Sequence, residues 1–131
     1  MNSYEGSKIL VTGALGQIGT DLTEALRDKY GKSSIIATDI RFIDDHPSVE
    51  NGIFEKLDVL DFENLVNICN EHDIGTIYHL AALLSAVGEK NPEKCKKINV
   101  GGTVSILEAA KELSLKVFAP SSIAVFGPDC P

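Results

Sequence analysis

Three glycines at positions 13, 16 and 19 recur at every third residue, directly after the apolar run Ile9-Leu10-Val11 and Thr12. They precede a stretch with helical spacing, Ile18, Leu22, Ala25, Leu26 and Tyr30, which Gly31 closes. A strand that breaks into a glycine turn and re-forms as a helix can hold an anion. The helix N-terminus offers unpaired N–H groups and a partial positive charge of about half an elementary charge. Each glycine has its own expected task. Gly13 turns the chain sharply, Gly16 lets the backbone approach a pyrophosphate, and Gly19 brings the helix close to the sheet. Gln17, Ile18 and Gly19 form the first turn of that helix and complete the expected contact surface.

A second apolar run, Ser34–Thr38, ends on Asp39, 20 residues beyond Gly19. A strand, a glycine turn, a helix and an acid at this distance form the dinucleotide-binding pattern, with the acid on the adenosine ribose. A carboxylate at that point accepts hydrogen bonds from the 2′ and 3′ hydroxyls and repels a 2′-phosphate, so NAD is the expected cofactor. Arg41, two residues on, is read as stacked on adenine or solvated. Asp58-Val59 is read as the end of a third strand. A carboxylate and an N–H there could read the adenine edge, or cap a strand whose Val59 enters the core. His79-Leu80-Ala81-Ala82 ends a fourth strand with small residues that let the chain pass under a cofactor. His79 has no carboxylate or cysteine partner at a meaningful spacing, which favours a structural or cofactor-lining histidine over a catalytic one. Ser121-Ser122 follows a fifth strand, with hydroxyls either facing a substrate or closing a plain turn.

The elements that must position these residues alternate along the 131-residue chain. Strands are expected at about 8–12, 34–39, 53–59, 76–80 and 116–120, and helices at about 17–30, after Asp61, and from Pro92 to Leu113. Arg41–Asn51 reads as loop. Asp61 is placed to cap the helix carrying Phe62, Leu65, Val66 and Cys69, and Asn91-Pro92 to start the last one. Such alternation predicts an α/β fold, a doubly wound parallel sheet of Rossmann type with helices on both faces. Gly101-Gly102 inside the last helix costs up to about 1 kcal/mol per glycine relative to alanine. Close packing is the expected offset.

The totals narrow the function classes. One domain is expected from the length. A net charge of −7 disfavours nucleic acid as a partner. Lys94, Lys96 and Lys97 lie beside Glu89 and Glu93 and read as a solvated helix face. Cys69, Cys95 and Cys130 match neither a disulfide framework nor a metal-ligand spacing, and they favour a reducing compartment. The N-terminus lacks a signal-peptide pattern, and no apolar run approaches the ~20 residues that span a bilayer. The expected location is cytoplasmic, or the mitochondrial matrix if a presequence was removed. No metal site and no membrane partner are expected.

Taken in register, Gly13-x-x-Gly16-x-x-Gly19, Asp39, Asp58-Val59, His79-Leu80-Ala81-Ala82, Asn99-Val100-x-Gly102-Thr103 and Ser121-Ser122-x-x-Val125-Phe126-Gly127 resemble the extended short-chain dehydrogenase/reductases, the NAD-dependent epimerase/dehydratase group. The segments Leu83–Pro92 and Pro120–Pro128 look like the short-chain type of L-threonine 3-dehydrogenases. Sugar-nucleotide epimerases usually show a tyrosine where Phe126 stands.

The resemblance implies that Ser122 is the catalytic serine binding the substrate hydroxyl. It also implies that Ser85 lines the substrate pocket and that Asn99 lies near the active site. The family's general base, the tyrosine of Tyr-x-x-x-Lys, belongs beyond Ser122, and this sequence ends at Pro131. Residues 1–131 are therefore expected to be an NAD-binding half without catalytic base or substrate domain, inactive alone and prone to self-association as a homodimer or otherwise. Threonine is the expected substrate of the complete protein. A sugar-nucleotide epimerase/dehydratase and a non-catalytic nucleotide-sensing protein are the other readings.

Overall fold

The computed structural model describes residues 7–81 and 92–119, with the side chains of 92 and of 94 to 99 excepted. Five strands form one parallel sheet: β1 (Lys8–Thr12), β2 (Ile35–Asp39), β3 (Ile53–Lys56), β4 (Ile74–His79) and β5 (Lys116–Phe118). Their order is β3-β2-β1-β4-β5. The chain steps outward from β1 to β3, then crosses back to place β4 on the other side of β1. That reversal opens a crevice at the carboxyl ends of β1 and β4, where doubly wound sheets bind their ligands. The expected fold class is the observed one.

The strands read as continuous apolar runs because both sheet faces are covered. Successive side chains point to opposite faces, and the core divides accordingly. Ile9, Val11, Ile35 and Ala37 pack with Ala14 and Leu26 of the first turn and helix. Leu10, Ile36 and Ile77 face the other way, toward Leu65, Ile68, Cys69, Ile106 and Ala109. These come from helices α3 (Phe62–Glu71) and α4 (Pro92–Leu113).

Helix α1 (Gln17–Tyr30) ends at Gly31, whose N–H bonds the Arg27 carbonyl at 2.8 Å. Its buried residues are Gly19, Thr23, Leu26 and Arg27, with Leu22 and Tyr30 at the margin. Ile18 and Ala25, expected on that face, are exposed. One residue off the buried line is a rotation of about 100° on a helix, which turns Ile18 to the crevice mouth.

Two stretches near the site differ from expectation. The segment read as loop contains a short helix, α2 (Pro47–Glu50), whose N-cap His46 accepts from the Ser48 N–H at 3.0 Å. Strand β3 stops at Lys56. Asp58 lies beyond it and turns its carboxylate onto the Leu60 N–H (2.9 Å), while Val59 enters the core. Asp61 caps α3 as expected, accepting from Asn64 N–H. His72 follows α3 and bonds Glu55 of β3 at 2.8 Å.

The glycine pair in α4 has a packing reason. A Cβ at Gly101 would stand 2.8 Å from the Leu60 side chain, and one at Gly102 would stand 2.8 Å from Val59 Cγ2 and 3.7 Å from the His79 ring. The helix rests its backbone on the β3–α3 turn and on the end of β4. Val100, Val104 and Leu107 are half exposed on α4.

Candidate functional site

The glycine turn after β1 is stitched to its neighbours by the main chain. Ala14 N–H donates to the Thr38 carbonyl of β2 at 2.9 Å, and Leu15 N–H donates to Asp39 Oδ2 at 3.0 Å. Within it the glycines differ in what requires them. Gly13 has φ +70°, and a Cβ there would meet the Leu80 and Ala81 backbone at 2.8 Å. Any Cβ on Gly19 would lie 2.0 Å from the Gly13 carbonyl. Gly19 thus seats the helix on the turn rather than directly on the sheet. Gly16 has an ordinary extended φ of −74°, and a Cβ there would touch nothing closer than Gly13 O at 3.4 Å. The chain's own packing does not demand glycine at 16. The open space around it suits a ligand that must lie against the backbone.

Gly16 is also the N-cap of α1, and among the described residues no side-chain cap bonds the first-turn amides. That turn holds no acidic residue, whereas α3 begins with Asp61 and Glu63 and α4 with Glu93. The N–H groups of Gln17 and its neighbours therefore face outward with their partial charge uncancelled, a ready anion site. A pyrophosphate fits this cradle. Exposed Ile18 stands beside it.

Thr12 forms the floor of the crevice with β4. Its Oγ1 lies 3.0 Å from Leu80 N, 3.1 Å from Ala81 N and 2.9 Å from His79 Nδ1. Two main-chain N–H groups occupy the hydroxyl's acceptor sites, so its single proton points at His79. Nδ1 is then an acceptor, and the imidazole is neutral with its proton on Nε2. Burial favours the same form, pushing the His79 pKa down from 6.5 to about 4. A proton added at Nδ1 would face a hydroxyl that has nothing left to accept it. His79 is accordingly structural, and Leu80 and Ala81 are fixed where a cofactor would pass.

Asp39 lies at the tip of β2, 4% exposed. Arg41 is 56% exposed and lies against Asp39. Its N–H and Nε contact Asp39 Oδ1 at 3.0 and 3.2 Å, and its Nη2 contacts Oδ2 at 3.4 Å. A buried carboxylate two residues away is a nearer attraction for the guanidinium than water. The geometry therefore gathers Gly13, Gly16, Gln17, Ile18, Gly19, Asp39, Arg41, Leu80 and Ala81 along one edge. Asp58 is exposed and Val59 buried nearby, beyond β3. Ala82, Ser85 and Ser122 fall outside the described residues, as does the side chain of Asn99. The only Tyr-x-x-x-Lys spacing in the chain runs from Tyr4 to Lys8. Lys8 opens β1 at the sheet's amino end, remote from the crevice, and cannot serve it.

A sequence model of the NAD dependent epimerase/dehydratase family matches residues 9–131. The chain belongs to this family. NAD is accordingly its cofactor. The chain is 48% identical over 124 residues to an uncharacterized epimerase/dehydratase of Staphylococcus epidermidis, covering 95% of this chain and 39% of that protein. Among solved structures, it is similar to L-threonine dehydrogenase from Clostridium difficile, with 50% identity and a TM-score of 0.88 over 95% of this chain and 39% of that one. It is also similar to UDP-glucose-4-epimerase from Stenotrophomonas maltophila with bound NAD, at 26% identity and a TM-score of 0.80 over 95% and 40%. The chain thus spans about two fifths of the relatives it matches. No helix among the described residues is long and apolar enough to cross a membrane.

Some residues that position the epimerase/dehydratase crevice carry no sequence motif. Ser48 of α2 donates its hydroxyl to the Ala14 carbonyl at 2.8 Å, bracing the turn from outside. Arg27, 5% exposed, donates to the carbonyls of Pro47, Ser48 and Ile53 and so pins α2 in place. His46-Pro47 was the available signal, since proline is favoured at the first helical position.

Proposed function

We propose that residues 1–131 are the NAD-binding half of an oxidoreductase of L-threonine 3-dehydrogenase type. The complete protein oxidises the β-hydroxyl carbon of threonine to 2-amino-3-oxobutanoate. Bound NAD supplies the hydride acceptor. Gly13, Gly16, Gln17, Ile18 and Gly19 hold the pyrophosphate and Asp39 the adenosine ribose, while Asp58 and Val59 flank the adenine. Leu80, Ala81, Ala82 and Asn99 line the path toward the nicotinamide. Ser122 orients the substrate hydroxyl, Ser85 borders the substrate, and the proton goes to a base outside this chain. The open space at Gly16, beside an uncapped helix start, carries the cofactor half of this reading.

The substrate rests on similarity of degree. Threonine dehydrogenase structures are 50% and 53% identical to this chain, and UDP-glucose 4-epimerase structures 26% and 28%, at comparable coverage. Phe126, where sugar-nucleotide epimerases usually carry tyrosine, points the same way. Assaying a reading frame that includes this chain and its Tyr-x-x-x-Lys helix on threonine and on UDP-glucose tests it. NADH formation from threonine is expected, and epimerisation of UDP-glucose in its place would overturn the assignment. The 131-residue chain alone should form no NADH from threonine, because a serine hydroxyl cannot take the substrate's proton at neutral pH. Turnover by that chain, abolished by Ser122→Ala, would show that the base lies within it.

A further inference from the structure

Two carbonyls of the glycine turn are each held by a hydroxyl. Ser48 Oγ donates to Ala14 O at 2.8 Å, and Thr20 Oγ1 donates to Gly16 O at 2.6 Å. A trans peptide unit is planar, so its C=O and N–H point in opposite directions. Fixing the oxygen therefore aims the N–H of the next residue. At Ala14 the result is visible, because the Leu15 N–H lands on Asp39 Oδ2 at 3.0 Å. At Gly16 the oxygen also takes the Thr20 N–H at 2.8 Å. The N–H aimed the other way belongs to Gln17, an open amide at the start of α1.

Thr20 is itself held from α2. His46 Nδ1 accepts the Ser48 N–H at 3.0 Å, so a neutral ring carries its proton on Nε2. Nε2 lies 3.2 Å from Thr20 Oγ1. The Thr20 proton is spent on Gly16 O, which leaves Oγ1 as acceptor and Nε2–H as donor. A relay thus runs from imidazole to hydroxyl to carbonyl. Each donation polarises the next group, and such chains strengthen cooperatively. The relay ends on the peptide unit whose N–H is presented to an anion.

We infer that His46 is a positioning residue for the pyrophosphate. Through Thr20 it fixes and polarises the Gly16–Gln17 peptide, and so raises affinity for the phosphates alone. The inference rests on the proposed placement of the pyrophosphate at Gly16 and Gln17. No motif marks the contact, since His46 and Thr20 are 26 residues apart.

Calorimetric titration of the purified protein with ADP and with adenosine, which lacks the phosphates, tests this. Asparagine is a favoured N-cap, so His46→Asn keeps an acceptor for the Ser48 N–H but loses the donor that reaches Thr20. It should weaken ADP by about threefold or more, the worth of one hydrogen bond, and leave adenosine within about twofold. Thr20→Val should do the same, and Thr20→Ser, which retains the hydroxyl, should bind ADP within about twofold of the native protein. The double variant His46→Asn with Thr20→Val should bind no more weakly than Thr20→Val alone, because both changes cut one relay. Unchanged ADP affinity in His46→Asn, an equal loss of ADP and adenosine, or additive losses in the double variant would each overturn the inference. Should His46→Asn lose its circular dichroism, the Thr20→Val and Thr20→Ser pair decides, and equal ADP affinity in those two overturns it. Gly16→Val separates the two levels. Normal ADP binding by that variant would sink the placement of the pyrophosphate and the inference with it, whereas its failure beside an unaffected His46→Asn sinks the inference only.

Discussion

A Cβ at Gly16 would meet only the Gly13 carbonyl at 3.4 Å, so valine there should fold normally and fail to bind. Gly16→Val is expected to keep its helical circular dichroism and to lose NAD affinity by about tenfold or more, roughly 1.4 kcal/mol. Normal NAD binding by this variant would reduce the turn to a structural feature. Gly19→Ala should do the opposite and lower stability, because its Cβ would be driven into the Gly13 carbonyl. His79 supplies a pH signature. Burial lowers its folded pKa from 6.5 to about 4, so only the unfolded chain takes up this proton between those values. The contribution is fully present above pH 6.5 and is lost as pH falls toward 4, by at most about 3 kcal/mol at 1.36 kcal/mol per pH unit. Nitrogen-resolved NMR of the histidine rings should show His79 with its proton on Nε2 and titrating below pH 5. A midpoint near 6.5 would contradict the Thr12 arrangement.

Among the elements, the short α2 and the buried Arg27 behave as one part. Arg27 carries its charge at 5% exposure without a carboxylate partner among its bonds; its Nη1 and Nη2 donate to three carbonyls, its Nε finds no partner among the described residues, and burial depresses its pKa. Gly52 makes room for it, since a Cβ there would lie 2.5 Å from Arg27 Nε. Arg27→Met keeps most of the side-chain volume but strands the three carbonyls, at a cost of about 3 kcal/mol. Urea denaturation measures that cost directly. The same variant should also weaken NAD, because α2 carries the Ser48 hydroxyl that holds Ala14. Stability lost with NAD affinity unchanged would show that α2 does not brace the turn.

For the molecule as a whole, ligand binding and folding are linked. NAD at about one hundred times its dissociation constant should stabilise the fold by ~2.7 kcal/mol. At this chain length that raises the unfolding midpoint by roughly 10 °C. If the described crevice is the adenosine and pyrophosphate half of the site, as proposed, ADP at equal saturation should reproduce most of the shift in a thermal melt. Nicotinamide mononucleotide should give little. A shift with nicotinamide mononucleotide equal to that with ADP would mean that the two halves of the crevice have been assigned the wrong way round.

Local chemistry made much of this legible from sequence. Gly13 needs a positive φ, Asp61 needs a helix start, and apolar runs ending in small or polar residues need a buried parallel sheet. Those preferences act over a few residues, so β1, α1, the acid that ends β2 and the order of elements could all be read in advance. What remained hidden depends on groups far apart in the chain. Arg41 turned onto Asp39 because the carboxylate is buried and near, which no spacing rule states. Thr12 became the proton donor to His79 only because Leu80 and Ala81, 68 and 69 residues away, occupy its acceptor sites. Asp73 and Ser114 take φ of +55° and +58° before β4 and β5, where a sequence reader looks for glycine. Gly101 and Gly102 looked like a cost until Leu60, Val59 and His79 were seen against them. The tertiary structure decided these points because each is settled by which groups are left unpaired or crowded once the sheet has assembled.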